Sequence, residues 1–266
     1  MKLTVLGTCS PYPLPGRACP SYLLEAGGRT LLLDCGSGAA SRLLEYTDYD
    51  RLAAVVLSHL HGDHMSDLWV IRYAVDAYLR SGRRQGPLPV YAPPEPAAEF
   101  ALLPYREAFK VIPAVPGGPP VELAGTREPG GEGGRRGDGP DGGERISLSF
   151  FRTDHPLPCN ALVVQDGGQK FAYSADTSYS PEMAAFVAGA DLFLCEATLQ
   201  ESVKEFRRTG HLTASDAGRL AREAGAKRLV LTHFSPGLDV SVTEMEAEAS
   251  FGGRVELARE RSVYTL

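Results

Sequence analysis

The stretch Ser58-His59-Leu60-His61-Gly62-Asp63-His64 follows directly on the apolar run Ala53-Ala54-Val55-Val56-Leu57. Packing does not account for three imidazoles and a carboxylate placed so close together. Each imidazole costs free energy to bury unless its nitrogens are bound. Neutral histidines are also good nitrogen donors for a borderline-soft divalent ion. The chain has 6 histidines. The other three, His155, His211 and His233, stand after or between expected strands and helices. The whole histidine complement can therefore belong to one site.

The spacing defines how such a site is built. His59 and His61 are two apart, so on an extended segment both point the same way and can bind one ion. Asp63 and His64 open the next helix and can face a second ion nearby. Two ions roughly 3.5–4 Å apart activate water and stabilise a leaving oxygen. Three further donors stand at the ends of apolar strands: His155, Asp176 after Lys170-Phe171-Ala172-Tyr173-Ser174-Ala175, and His233 after Arg228-Leu229-Val230-Leu231-Thr232. Polar residues at strand ends suit a site at one rim of a sheet.

Length and composition set the class. A chain of 266 residues with 43% apolar and 23% charged residues fits one domain, 1–266, of α/β or sandwich type. No stretch approaches the roughly 18 apolar residues of a membrane span, so no membrane partner is expected. The start, Met1 to Gly7, reads as a first strand rather than a signal peptide. The 5 cysteines are scattered without a C-x-x-C pair, which favours reduced thiols and a cytoplasmic setting. A net charge of −6 argues against wrapping nucleic acid, which rests on neutralising phosphates.

Ser21–Glu25 and Arg29–Asp34 flank a Gly-Gly turn as a hairpin. A helix is expected over Ala39–Tyr46, a buried strand over 53–58, an amphipathic helix over Asp67–Arg80, a strand over Leu88–Tyr91 and a helix over Pro96–Phe109. Residues 116–145, rich in Gly, Pro and charge, read as a mobile surface loop, a tolerated insertion rather than a lid. Strands follow over Ile146–Phe151, Ala161–Gln165, Gln169–Ser174, Asp191–Glu196 and Leu229–Thr232. Ser180-Pro181 opens one helix, and Thr213 caps another that stops near Gly225. Strands early and alternation later predict a layered α/β domain with two sheets between helices.

These residues resemble the metallo-β-lactamase superfamily, through His59-x-His61-x-Asp63-His64, His155, Asp176 and His233 in the family's order, from the Asp34-x-Gly36 turn to Thr232-His233-Phe234. The resemblance implies a four-layer αββα sandwich. It implies two divalent ions, with zinc the first choice and manganese the alternative. His59, His61 and His155 would hold the first ion, Asp63, His64 and His233 the second, and Asp176 would bridge. Asp63 would also belong to the catalytic set. Cys195-Glu196-Ala197-Thr198 and Gly210-His211-Leu212-Thr213 look like the ribonuclease Z branch and its small phosphodiesterase relatives. There, Glu196 would orient His211 and His211 would face the scissile phosphate. Cys195 departs from the His often found before that Glu. Asp34 reads as a support of the metal-bound histidines or of its own turn rather than a ligand, and Cys159 as a small apolar packing residue, with a place in the pocket wall as the alternative. Arg80, Arg83 and Arg84 read as a solvated helix end.

Substrate follows from a length. Ribonuclease Z enzymes typically carry a tRNA-gripping arm between the positions of His155 and Asp176. Here these are 21 positions apart and one Gly-Gly hairpin fills the gap. A small or cyclic phosphodiester is therefore the expected substrate. A tRNA 3′-processing endonuclease is the alternative, with nucleic acid disfavoured as a partner. A thioesterase or lactonase and a non-catalytic metal-binding protein rank lower. A homodimer is common in the resembling group.

Overall fold

The computed structural model describes residues 1–124 and 145–266. Two mixed seven-stranded sheets form its centre. The first holds β1 (Lys2–Gly7), β2 (Ser21–Ala26), β3 (Arg29–Leu33), β4 (Leu52–Val56), β5 (Leu88–Ala92), β6 (Phe109–Pro113) and β14 (Val263–Thr265), ordered β14-β1-β2-β3-β4-β5-β6. The second holds β7 (Val121–Ala124), β8 (Arg145–Arg152), β9 (Asn160–Asp166), β10 (Gln169–Tyr173), β11 (Leu192–Glu196), β12 (Leu229–Thr232) and β13 (Glu256–Leu257), ordered β13-β12-β11-β10-β9-β8-β7. Each sheet has an antiparallel half and a parallel half.

Strand alternation makes the layers. On β2, Tyr22 and Leu24 enter the core between the sheets, while Leu23 faces the other way. On β11, Leu192 and Leu194 join that central core, while Phe193 and Cys195 join the outer one. Both faces of these strands are buried, so they read as continuous apolar runs rather than alternating ones. Phe171 and Phe193 are fully buried in different cores, and burying each contributes about 1.5–3 kcal/mol.

Helices cover the outer faces. α1 (Ala39–Leu43) and α3 (Leu68–Arg80) pack on the first sheet through Leu43, Leu68, Ile71 and Val75. α5 (Pro181–Phe186), α6 (Ala214–Glu223) and α7 (Val240–Phe251) pack on the second through Met183, Ala217, Leu220 and Ala247. The result is the expected αββα sandwich. Two short helices, α2 (Gly62–Met65) and α4 (Ala97–Phe100), complete it. Among the described residues no helix is long and apolar enough to cross a membrane.

Four expectations are corrected. The helix expected over Pro96–Phe109 is only the short α4, and Phe109 opens β6. Pro104 explains this, because an interior proline removes a helical hydrogen bond and clashes with the preceding turn. The helix expected over Ala39–Tyr46 ends at Leu43. The stretch 116–145 is not loop throughout. Val121–Ala124 pairs antiparallel with β8, which Arg145 opens, and Val121 and Leu123 pack on the central core. The rest of that expected loop, 125–144, lies outside the described residues. Finally, α7, β13 and β14 were not anticipated. The expected Ser180 and Thr213 caps form, the second as a capping box with Asp216.

Candidate metal centre

Strand ends in both sheets deliver the site. β4 runs through Leu57 into His59, and His61 N-caps α2 in extended backbone, with φ −67° and ψ 148°. β8 leads to His155, β10 to Asp176, β11 ends at Glu196 and β12 leads to His233. Asp34, Ala175 and His233, each just past a strand, adopt positive φ of 53°, 52° and 64°. Such backbone costs on the order of 1–3 kcal/mol and concentrates at functional sites.

All seven expected ligands come together. His59 Nε2 lies 3.0 Å from His61 Nδ1, and His155 Nε2 lies 3.3 Å from the same atom. His64 Nε2 lies 3.1 Å from His233 Nε2, and Asp63 Oδ2 is 3.6 Å from His64 and 3.8 Å from His233. Asp176 stands between the groups: Oδ2 is 3.6 Å from His59 and 3.4 Å from His64, and Oδ1 is 3.1 Å from His233. His59, His61, His155 and Asp176 could hold one ion, and Asp63, His64 and His233 another. Asp176, His211 and His233 form a third competent group, so geometry alone does not restrict His211 to proton transfer.

The outer nitrogens fix the tautomers, because each faces an acceptor. His64 Nδ1 is 2.8 Å from Asp34 Oδ2, and His155 Nδ1 is 3.0 Å from the Gly210 carbonyl. Ser58 Oγ donates to Asp34, so it accepts from His59 Nδ1 at 3.0 Å. Thr198 Oγ1 donates to Glu196 in a short contact, so it accepts from His233 Nδ1 at 2.6 Å. With Nδ1 protonated, the four Nε2 atoms are left facing inward. Nitrogens this close repel unless a proton or cation lies among them. Asp176 Oδ1 is also buried without a well-aligned hydrogen-bond donor. The donor set therefore fits divalent metal.

The electrostatics agree. Burial, then the charge of His64, pushes His59 well below its ordinary value, and burial also lowers His233. Burial, then His155, also lowers His61. Each of these shifts favours the neutral form that a metal ligand must have. Burial opposes charge on His64, but Asp176 and Asp34 outweigh it and raise its pKa. A proton on His64 thus serves the same carboxylates that a cation would. Burial also opposes charge on Asp176, yet His233 and His64 hold its carboxyl well below the usual range.

Beside this centre His211 Nδ1 meets Glu196 Oε1 at 3.1 Å and lies 4.0 Å from Asp176 Oδ2. Burial pulls the imidazolium down, but Glu196 by charge and hydrogen bond, then Asp176, push it up to about 9. Glu196 is itself held by the Thr177 amide at 2.7 Å. A cleft of about 470 Å³ opens over the centre, lined by Ser10, Tyr12, His61, Asp63, Asp176 and His211. A larger open cleft of about 1190 Å³ around Glu25, Arg29, Asp48 and Arg83 contains none of these histidines. The donor chemistry, not size, marks the smaller one as the site.

Several contributors were not anticipated. Ser10 donates to Asp63 Oδ2 at 2.9 Å, and Tyr173 to Asp34 Oδ2 at 2.8 Å. Ser58 and Thr198 were within the quoted motifs, but nothing local marked Ser10 or Tyr173. Asp34 takes the supporting place expected of it, and Cys159 Sγ stands 3.6 Å from His59 Nδ1. Arg83 pairs with Asp48 and Asp50, Arg80 with Asp76, and Arg84 with backbone carbonyls. That basic cluster is internally satisfied.

Residues 29–234 match the beta-lactamase superfamily domain. The chain belongs to the beta-lactamase superfamily, as a metallo-hydrolase. Within this superfamily it is 32% identical to the probable metallo-hydrolase YhfI of Bacillus subtilis, across 99% of each chain. The crystal structure of that protein matches with a TM-score of 0.86 and 31% identity, covering 99% of this chain and 98% of that one. Ribonuclease Z of Mycobacterium tuberculosis is 29% identical over 98% of this chain and 96% of its own length. The short form of human tRNase Z shares the superfamily fold at a TM-score of 0.71 and 24% identity, covering 100% and 99%.

Proposed function

We propose that this metallo-hydrolase is a phosphodiesterase acting on small or cyclic phosphodiesters. Two ions would be held, one by His59, His61 and His155, the other by Asp63, His64 and His233, with Asp176 shared. Zinc suits the histidine-rich set, and manganese is the alternative. The observation that carries the reading is the Glu196–His211 pair, 3.1 Å apart at the edge of the centre. Divalent ions bound there would polarise phosphoryl oxygens and supply a nucleophilic water at neutral pH.

The remaining chemistry belongs to the side chains. Asp176, kept as a carboxylate, accepts a hydrogen bond from the attacking water and orients it. Glu196 fixes the Nδ1–H of His211, leaving Nε2–H as the proton for the departing alkoxide. Thr177 and Thr198 hold Glu196 in place. Ser10 steadies Asp63. A charged imidazole beside the developing phosphorane charge also lowers the barrier electrostatically.

A second reading, tRNA 3′-end cleavage, is favoured by the nearly full-length likeness to a ribonuclease Z. Against it, the stretch from His155 to Asp176 is spent on β9, a tight turn and β10, and the net charge is −6. Metal-loaded protein assayed side by side on cyclic nucleotides, bis(4-nitrophenyl) phosphate, a tRNA precursor and a thioester decides the matter. Turnover of the small diesters is expected. Cleavage of the precursor alone would install the second reading, and thioester turnover alone would sink both.

A further inference from the structure

A second cleft, of about 360 Å³, is lined by Ser178, Tyr179, Arg207, Arg208, His211 and Asp216. His211 is shared with the cleft over the metal centre. We infer that this second cleft receives the leaving arm of the substrate and that Arg208 binds a phosphate carried on that arm. The inference rests on the phosphodiesterase reading and gives its substrate a second anionic group.

Position is the first argument. A proton donor stands beside the departing oxygen, so whatever that oxygen carries must lie past His211 from the metal ligands. The second cleft is the space His211 borders there.

Charge is the second. Arg207 is consumed: it contacts Glu201 and Asp216, each at 2.8 Å, and Thr213 at 3.1 Å. Asp216, the acidic residue lining the cleft, is thereby neutralised and also serves the α6 capping box. Tyr179 is pinned by its hydroxyl to Glu223 and lies 4.3 Å under the Arg219 guanidinium. Arg208 is exposed and has no hydrogen-bond or ion-pair partner among the described residues. The cleft therefore keeps one uncompensated cation on walls that are otherwise internally paired. A guanidinium presents a fork that matches phosphate oxygens. The acidic chain as a whole, at −6, makes a local site the more necessary for an anionic substrate.

The test compares a thymidine dinucleotide with and without a terminal phosphate on the departing nucleoside, which the products identify. For the metal-loaded enzyme, kcat/KM is expected to be about tenfold higher with the phosphate, the size of one solvent-facing charge-assisted hydrogen bond. Arg208→Ala should abolish that preference and Arg208→Glu should invert it. No preference in the native chain, or a preference that survives Arg208→Ala, overturns the inference. If no diester is cut, the phosphodiesterase reading fails separately, and calorimetry decides the cleft on its own. Thymidine 3′,5′-bisphosphate should then bind more tightly than either monophosphate, with the difference lost in Arg208→Ala. Equal affinities would overturn the cleft as well.

Discussion

Tyr173, the last residue of β10, donates its hydroxyl at 2.8 Å to Asp34, the first residue beyond β3. The bond crosses from one sheet to the other, and both side chains are buried. Asp34 also accepts from the Ser58 amide at 2.7 Å, Ser58 Oγ at 2.9 Å and His64 Nδ1 at 2.8 Å. One carboxylate thus ties both sheets to a candidate ligand. Asp34→Asn puts an amide donor where only acceptors fit, and at least one buried donor loses its partner. The expected cost is about 3 kcal/mol of stability and a drop of about 10–100-fold in metal affinity. Denaturant titration and chelator competition read these two effects. A loss of stability with native metal affinity would mean that Asp34 does not orient His64.

Gly36→Ala tests the neighbouring turn. A Cβ there would sit 1.9 Å from the Asp63 carbonyl and 2.6 Å from Cys19 Cβ. Backbone cannot yield as a flexible side chain does, so the Asp63–His64 segment must shift. The expected results are a cost of about 1–3 kcal/mol and fewer ions per chain by native mass spectrometry. Full metal content in a destabilised variant would confine the effect to packing.

His211→Ala should lower kcat by about 10²–10⁴-fold while elemental analysis still finds the native metal content. Coincident loss of metal would instead make His211 a ligand, which the Asp176–His211–His233 grouping allows.

Native protein should contain close to two divalent ions per chain. Chelation should then lower the thermal midpoint by about 10 °C, because each of two ligands at about a hundredfold its Kd stabilises by about 2.7 kcal/mol. A midpoint indifferent to chelator would count against resident metal.

The sequence and the structure agree where one element carries its own signal. The apolar run 53–57 and the histidines after it lie on one strand and its extension, so reading them needs no tertiary knowledge. The strand-end positions of His155, Asp176 and His233 were legible for the same reason. Ser10 was not, because its partner Asp63 is 53 positions away, nor was Tyr173, 139 positions from Asp34. β7 was hidden because only two large apolar residues, Val121 and Leu123, mark it inside a Gly- and Pro-rich stretch. α7 was hidden because its buried residues are only Thr243 and Ala247. It is recognised through Gly218, where a Cβ would lie 2.3 Å from the Ala247 carbonyl.

The Nε2 atoms of His64 and His233 meet at 3.1 Å although 169 positions separate them. An ion gripped by both is a reversible covalent-like clasp between early and late chain. Bringing together positions that far apart costs about 5 kcal/mol of chain entropy, which the fold itself must already have met when an ion binds the two. During synthesis His59 to His64 emerge long before their partners. A cation they capture early is held by half a set of donors and exchanges readily. Tight retention would come only when β12 has docked and His233 arrives, so metal capture would mark the completion of folding.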